Sequence, residues 1–266
     1  MNVALYWPES GTLRAVLLRE LRSALVNRYF QAFSLLALGG GIASVALSEV
    51  PNAAAFFILQ IALYFVSLFA LLAGVSSARA ENEEWPILFA QPVPRTACVL
   101  GKFAALWAIL GSVLMLLFIP ALFSEGSLAA LVHLYFNTLG LAAIFGSLGL
   151  CAGIIGHDRV QALVLGVSAW LFLLFGVDLF ALLAAQWAAL QRLPDFWVAL
   201  LMVNPLDAFR IQALFAMEQI PAEAANKTPL AGWWLTHASL WFAIVSAAWT
   251  MTLLFLTSRH LERAEI

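Results

Sequence analysis

Long uncharged apolar runs constrain this chain more than any other feature of its sequence. Between Ala53 and Ser77 no charged side chain interrupts such a run. A bilayer core of about 30 Å is crossed by roughly 20 apolar residues in one helix. A strand of a membrane barrel would alternate between apolar and polar faces, and this run does not alternate. The sequence therefore predicts membrane-spanning α-helices.

Comparable runs recur along the whole chain. Of its 266 residues, 64% are hydrophobic and 11% are charged, whereas a soluble domain has about 25% charged residues. We expect six spans, near residues 31–50, 53–77, 103–123, 129–155, 160–185 and 234–257. No soluble domain fits between them. The prediction is an all-α integral membrane protein with a single transmembrane domain, 1–266.

The positions of the basic residues predict the orientation of the spans. Cytoplasmic loops of membrane proteins carry an excess of Lys and Arg. With six spans, one side of the membrane collects Arg14, Arg19, Arg22, Arg28, Arg79, Arg95, Lys102, Arg159, Arg259 and Arg263. The other side holds only Arg192, Arg210 and Lys227. Both termini are therefore expected in the cytoplasm.

The segment before the first span, residues 11–29, has aliphatic and charged side chains at helical spacing. A helix of this kind lies along the membrane interface. We expect an amphipathic interfacial helix there, with Arg19, Glu20 and Arg28 among its charges. A simple juxtamembrane anchor explains the pattern equally well.

The segment 79–102 is a polar interruption between the second and third spans. Its acidic residues precede a short apolar stretch, and two prolines then stiffen the corner that projects from the membrane. A mere connector would expose Trp85 and Phe89 to water. We interpret the segment as a cytoplasmic docking loop whose candidate coupling residues are Glu83, Glu84, Leu88, Pro92, Arg95 and Lys102.

The chain has no motif of its own for nucleotide hydrolysis. A phosphate-binding loop reads Gly-x-x-x-x-Gly-Lys-Ser/Thr. Gly101 and Lys102 lack the upstream glycine and are followed by Phe103. We therefore expect no enzymatic activity, no catalytic residue, no cofactor in this chain and no nucleic-acid partner.

Polar residues inside apolar spans are candidates for function. An aspartate at the centre of a membrane helix costs about 2.5 to 3.5 kcal/mol on insertion scales. Asp178 therefore suggests either a polar contact within the bundle or a position along a transport path. His133 and His237 open two spans and are candidate copper or zinc ligands, although two histidines alone do not make a metal site.

Close helix packing is predicted at one pair of glycines. Gly149 and Gly153 form a small-x-x-x-small pair in the fourth span. Glycine at this spacing lets two helix backbones approach closely. We interpret the pair as a packing feature, with a hinge as the alternative.

The region 186–232 predicts a short cap on the outer side. Asn204 precedes Pro205, and Asp207 lies in the first turn, which is the pattern of a helix start. Asp207 reaches Arg210 one turn on. We expect a short periplasmic amphipathic helix on the outer surface before the last span. We also expect Trp187, Trp197, Trp233 and Trp234 at interface depth.

Several segments together resemble the ABC-2 type transporter permeases. Glu83-Glu84, Leu88, Gln91-Pro92-Val93, Arg95 and Gly101-Lys102 resemble the coupling loop of that family. Arg19-Glu20-Leu21 and Asn27-Arg28-Tyr29 resemble its elbow helix. The segments 175–179 and 204–210 are similar to the NosY-type subgroup, the membrane subunit of the nitrous oxide reductase maturation transporter. Trp85-Pro86-Ile87 departs from the family pattern.

The resemblance implies a permease of ABC-2 or type V exporter fold in a bacterial inner membrane. Its implied partners are a cytoplasmic ABC ATPase that binds ATP and Mg, a second copy of the permease, a periplasmic protein at the cap, and membrane lipid. The implied role is copper-centre maturation of nitrous oxide reductase, through transport or through mechanical action on a periplasmic partner. The alternatives are an ABC-2 exporter of lipid, polysaccharide or peptide, and a membrane anchor or electron-transfer subunit without transport.

Overall fold

The structure is a computed structural model that describes residues 18, 28–48, 52–79, 95–124, 127–184, 186–187, 193–217 and 228–263. Regular structure in these parts of the chain is entirely helical. The helices are α1 (Arg28–Ala46), α2 (Ala53–Ile61), π1 (Ala62–Val66), α3 (Ser67–Arg79), α4 (Arg95–Phe118), a 3₁₀ turn (Pro120–Phe123), α5 (Leu128–Ile155), α6 (Arg159–Leu171), π2 (Phe172–Gly176), α7 (Val177–Ala184), α8 (Pro194–Val203), α9 (Pro205–Ala216), α10 (Pro229–Thr236) and α11 (Ala238–Arg263).

Five of these units are long and apolar enough to cross a membrane: Ala53–Arg79, Arg95–Phe123, Leu128–Ile155, Arg159–Ala184 and Ala238–Arg263. The first of them comprises α2, π1 and α3, and the fourth comprises α6, π2 and α7. The expected all-α fold with several long apolar helices is therefore confirmed for the described residues, and these helices are compatible with a membrane protein.

The predicted first span corresponds to α1, whose apolar part, Phe30–Ala46, is shorter than the five long helices. Helices α8 and α9 would supply a further span only if the pair were counted as one, and they are bent by 100° at their junction. The prediction of six spans thus stays a prediction, with five to six as the range that the described helices support.

Helix α5 lies at the centre of the bundle and contacts α3, α4, α6, α9 and α11. Its closest neighbour is α3, and glycines line that crossing. A Cβ added to Gly149 would lie 2.0 Å from the Leu71 carbonyl oxygen, and one added to Gly74 would lie 2.4 Å from the Gly146 oxygen. The packing role expected for Gly149 is confirmed, because its neighbour is backbone that no rotamer change can move.

The last helices differ from the expected arrangement in two respects. The helix expected on the outer surface, α9, is instead packed inside the bundle, with Leu206 and Phe209 at most 2% exposed. Neighbouring helices cover its polar side as well as its apolar side, which a sequence pattern of one helix does not show. Of the tryptophans expected at interface depth, Trp234 packs in the core, whereas Trp187 and Trp233 are exposed; their depth in the membrane stays a prediction.

Replacing Gly149 with alanine is expected to lower the free energy of unfolding by about 2 kcal/mol or more, because overpacking against a backbone oxygen forces the helices apart. Gly39→Ala is the matched control, since nothing lies within 4 Å of a Cβ there. Alanine has the same helix-propensity advantage at both positions. Thermal unfolding in detergent measures the difference, and equal stability of the two variants would contradict the close crossing.

Candidate functional site

The bend between α8 and α9 is the centre of a polar network in which Asn204, Asp207 and Gln212 are buried. The last carbonyl groups of a helix have no partner within that helix, and leaving them without one in an apolar environment is costly. Two indoles of α11 satisfy such carbonyls at the end of α8. The Nε1 of Trp241 donates to the Met202 oxygen at 2.9 Å, and that of Trp249 donates to the Val203 oxygen at 3.1 Å.

Asn204 lies at the bend and caps α9. Its Oδ1 accepts from the Leu206 amide at 3.2 Å. Its Nδ2 donates one hydrogen to the Leu173 carbonyl at 2.9 Å and the other to Asp207 Oδ2 at 2.6 Å. Because an amide side chain offers two donor hydrogens and one acceptor oxygen, these contacts use every polar atom of the side chain.

The contact with Leu173 joins α9 to π2. A π segment shifts the hydrogen-bonding pattern of a helix, and such segments are frequent at functional sites. In membrane helices they are tolerated where neighbouring side chains satisfy the freed backbone groups. Asn204 does so here, so the geometry of π2 and the position of the bend depend on the same amide.

A side-chain hydrogen bond also joins the two long helical units that contain π segments, Ala53–Arg79 and Arg159–Ala184. The Nε1 of Trp170, just before π2, donates to Ser67 Oγ at 2.9 Å. Ser67 follows π1 directly and donates its own hydrogen to the Leu63 carbonyl within π1. A hydroxyl has one hydrogen to give and can accept as well, which is how Ser67 is used. The path therefore runs from π1 through Ser67 and Trp170 to the helix that contains π2.

The charged residues of the network are Asp178, Asp207 and Arg210. Arg210 Nη2 lies 3.3 Å from Asp207 Oδ1, which confirms the predicted pair one helical turn apart. Asp178 is exposed and lies close enough to Asp207 to act on it electrostatically. That interaction is repulsive when both carboxylates are ionised. A polar contact of Asp178 across the bundle or a dimer interface, and a position along a transport path, both stay predictions.

Helix α9 is also held on its other side. Asn137 of α5 donates to Gln212 Oε1 at 2.7 Å, and Gln212 Nε2 contacts Ser239 Oγ of α11 at 3.3 Å.

The start of α9 predicted at Asn204 and Pro205 is confirmed, with Asp207 in the first turn. Sequence reasoning missed Ser67, Trp170, Trp241, Trp249 and Gln212 as members of the network. A tryptophan or amide inside an apolar helix is a usable signal, because its polar atoms require partners.

The opposite end of the bundle holds the basic residues that flank the segment 79–102, and we call it the basic end. Arg79 Nη1 donates to the His157 oxygen at 3.3 Å, beyond the last turn of α5. Lys102 Nζ donates to the Ser77 oxygen at 3.3 Å, in the last turn of α3. Arg95 Nη1 donates to the Leu261 oxygen near the end of α11. Each cation lies where a helix carboxyl end concentrates negative partial charge.

Two of the predicted coupling residues can therefore be placed. Arg95 contacts the end of α11, and Lys102 is only 2% exposed, so any role of Lys102 in docking acts through the end of α3. Arg28 is exposed at the start of α1. The remaining coupling and elbow residues, Glu83, Glu84, Leu88, Pro92, Arg19 and Glu20, lie outside the described residues.

The candidate metal ligands are not brought together in a larger group. His133 and His237 are both exposed. His237 Nδ1 lies 3.0 Å from the Trp233 oxygen, and the two rings are stacked with centroids 5.3 Å apart. Among the described residues, no group of three or more His, Cys, Asp or Glu side chains could hold a metal ion.

Comparison with protein-family models gave no match to this chain. A comparison with curated proteins gave none either.

Replacing Asn204 with leucine is expected to lower the free energy of unfolding by about 2 to 4 kcal/mol. The substitution removes a helix cap, worth about 1 kcal/mol, and leaves the buried Leu173 carbonyl and the Oδ2 atom of Asp207 without the donor that Asn204 supplies. Ser127→Ala is the matched control, because Ser127 caps α5 at an exposed position. Denaturation in detergent tests this, and equal losses for both variants would show that Asn204 is only a cap.

A double-mutant cycle tests the contact between the two spans with π segments. Trp170→Phe removes the indole donor and Ser67→Ala removes its acceptor. We expect a coupling free energy of about 0.6 to 1.7 kcal/mol, as for other side-chain hydrogen bonds between membrane helices. Additive effects of the two substitutions would mean that this hydrogen bond does not join the helices.

Proposed function

We propose that this chain is the membrane subunit of an ABC transporter of the ABC-2 class. In this proposal a partner ATPase docks on the segment 79–102, and its movement is carried through the bundle to the α8–α9 pair. The observation that carries the proposal is a pair of side-chain hydrogen bonds, Trp170 to Ser67 beside π1 and Asn204 to Leu173 in π2, which less than one turn of helix connects.

The first step concerns how the docking segment holds the bundle. The basic side chains at its two ends contact α3, α11 and His157, which lies just beyond the end of α5. A push on the segment therefore acts on the carboxyl ends of several long helices at once. No separate domain is needed to transmit this displacement to the bundle.

The second step concerns the rigid part of the bundle. Because backbone meets backbone where α3 crosses α5, this pair transmits displacement as one body. Packed interiors have low compressibility and transmit strain. A displacement at Arg79 therefore reaches Ser67, twelve residues earlier on the same helix, without being absorbed by side-chain rearrangement.

The third step leads to the α8–α9 pair. Ser67 contacts Trp170, and the next turn of that helix is π2, whose Leu173 carbonyl binds Asn204. π segments and a bend of 100° are local irregularities that can change geometry without breaking a long regular helix. They are therefore the places where a displaced bundle adjusts.

The proposal requires a separate source of energy, since the sequence has no phosphate-binding loop. The partner is an ATPase that binds ATP and Mg and hydrolyses the ATP, and the class implies a second copy of this permease. By the distribution of Lys and Arg the basic end faces the cytoplasm, in a bacterial inner membrane with both termini inside.

The more specific proposal is maturation of nitrous oxide reductase, with copper or sulfur supplied to its metal centres. It is based on the resemblance of segments 175–179 and 204–210 to the subunit of that transporter. Helix α9, which contains most of the second segment, contacts π2, which contains the first two residues of the first segment. A periplasmic protein is the proposed partner of the α8–α9 pair.

Copurification tests the transporter class. An ATPase subunit is expected to be retained when the chain is purified in mild detergent from its own host. The double charge reversal Glu83→Lys with Glu84→Lys is expected to lower the retained ATPase at least about tenfold, the equivalent of 1.4 kcal/mol of interface energy.

Asp195→Lys is the matched control, because Asp195 is an exposed acid on α8, at the other end of the bundle. It is expected to leave the retained ATPase unchanged. A wild-type chain that retains no ATPase would contradict the proposal, as would a Glu83 and Glu84 reversal that leaves the complex intact. For the cargo, a host that lacks this chain is expected to make nitrous oxide reductase deficient in copper, and a fully loaded reductase would refute that assignment alone.

A further inference from the structure

A lateral cavity at the basic end opens between α1, α3 and α6. Its volume is about 320 Å³, and its walls include Phe30, Phe69, Leu72, Ala73 and Leu163. Arg159 is the charged residue among its lining side chains. The cavity is thus an apolar slot with a cation beside it, and the proposed transport mechanism uses none of its walls.

A second apolar cavity of about 360 Å³ continues along α1 and shares Phe69 with the first. Phe69 stacks on Phe33 of α1 with ring centroids 4.3 Å apart. Gly39 and Gly40 line the second cavity and leave room where larger side chains would fill it. We call the two cavities together the groove. Ile61 lines the second cavity and Ser76 lines the first, and about 22 Å of helix separates these two residues at 1.5 Å per residue. One leaflet of the bilayer core is about 15 Å thick, so the groove is long enough for one acyl chain.

We propose that this groove holds one acyl chain of an anionic phospholipid from the leaflet at the basic end, with its headgroup phosphate at Arg159. An acyl chain gains free energy by leaving the bulk lipid only if the walls of the groove fit it. The positive charge of Arg159, by contrast, favours anionic headgroups over neutral ones. Arg159 is exposed, and its guanidinium group can donate hydrogen bonds to phosphate oxygens. The site is therefore selective for the sign of the headgroup.

Arg79 adds a second donor near this end. Its Nε and Nη2 atoms are buried without a hydrogen-bond partner in the described structure, while Nη1 contacts His157. Buried donors of this kind carry a free-energy cost until an acceptor reaches them. Phosphate oxygens are good acceptors for guanidinium groups. Arg79 therefore adds positive charge at the basic end, while Arg159 is the arginine that lines the cavity.

A second copy of the chain is a poorer occupant of the groove. Copies inserted in one membrane share an orientation, so their basic ends meet at the same depth. Arg159 of one copy would then face the arginines of the other, and like charges at an interface are unfavourable. An anionic headgroup provides the opposite charge at that depth. This inference does not depend on the proposed transport function.

Native mass spectrometry of the full-length protein tests the proposal. The protein is released from nanodiscs of equal parts phosphatidylglycerol and phosphatidylcholine, and the retained lipids are counted. We expect wild type to retain phosphatidylglycerol preferentially. Arg159→Gln is expected to lower that preference about fivefold, the effect of about one basic residue at a membrane surface. Arg259→Gln, a matched exposed arginine of α11, is expected to leave it unchanged.

A second pair of variants tests the groove. Ala73→Leu narrows the first cavity and is expected to lower the number of retained lipids of both kinds. Ala108→Leu, an exposed position of α4, is expected to have no effect. Equal lipid preference in wild type and Arg159→Gln would overturn the proposal. So would an unchanged lipid count in Ala73→Leu, or efficient disulfide formation between two copies that carry Ala73→Cys, which would place a second copy in the groove.

Discussion

The backbone contact between α3 and α5 determines where the other helices of this protein lie. In a bilayer, apolar side chains gain little from leaving lipid for another helix, so packing and polar contacts hold a bundle together. Glycines at Gly74 and Gly149 allow that packing to reach backbone distance. Around the pair so formed, α5 provides the surface on which α4, α6, α9 and α11 pack.

The polar network depends on this frame because its partners come from separate helices. Carbonyls at the end of α8 meet indoles of α11, and the amide that caps α9 meets π2. Each contact compensates for a local break in regular helix at a place where water is scarce. The irregular parts of the structure are therefore not independent defects. They are joined by Asn204, Trp170 and Ser67 into one unit between π1 and the bend.

The sequence predicted the features that one helix carries by itself. Apolar length located the long spans, the Asn204-Pro205 pattern located the start of α9, and the glycine spacing located the close crossing. It did not predict that α9 is buried, because burial of its polar side depends on partners contributed by α5 and α11. The π segments were also not foreseen, since their sequences are apolar like the rest of their spans. Trp170 and Trp241 are visible in the sequence as polar atoms that require partners, but the sequence does not show that those partners are Ser67 and the Met202 carbonyl.

The central claim is that π1, π2 and α9 form one coupled unit, and hydrogen–deuterium exchange of the full-length protein in Asn204→Leu tests it most directly. Amide exchange reports local opening, and coupled elements open together. The account predicts faster exchange in α9, in π2 and, through Trp170 and Ser67, in the residues that follow π1. The ends of α4 and α5 at the basic end should exchange as in the wild type. Faster exchange confined to α9 would contradict the account.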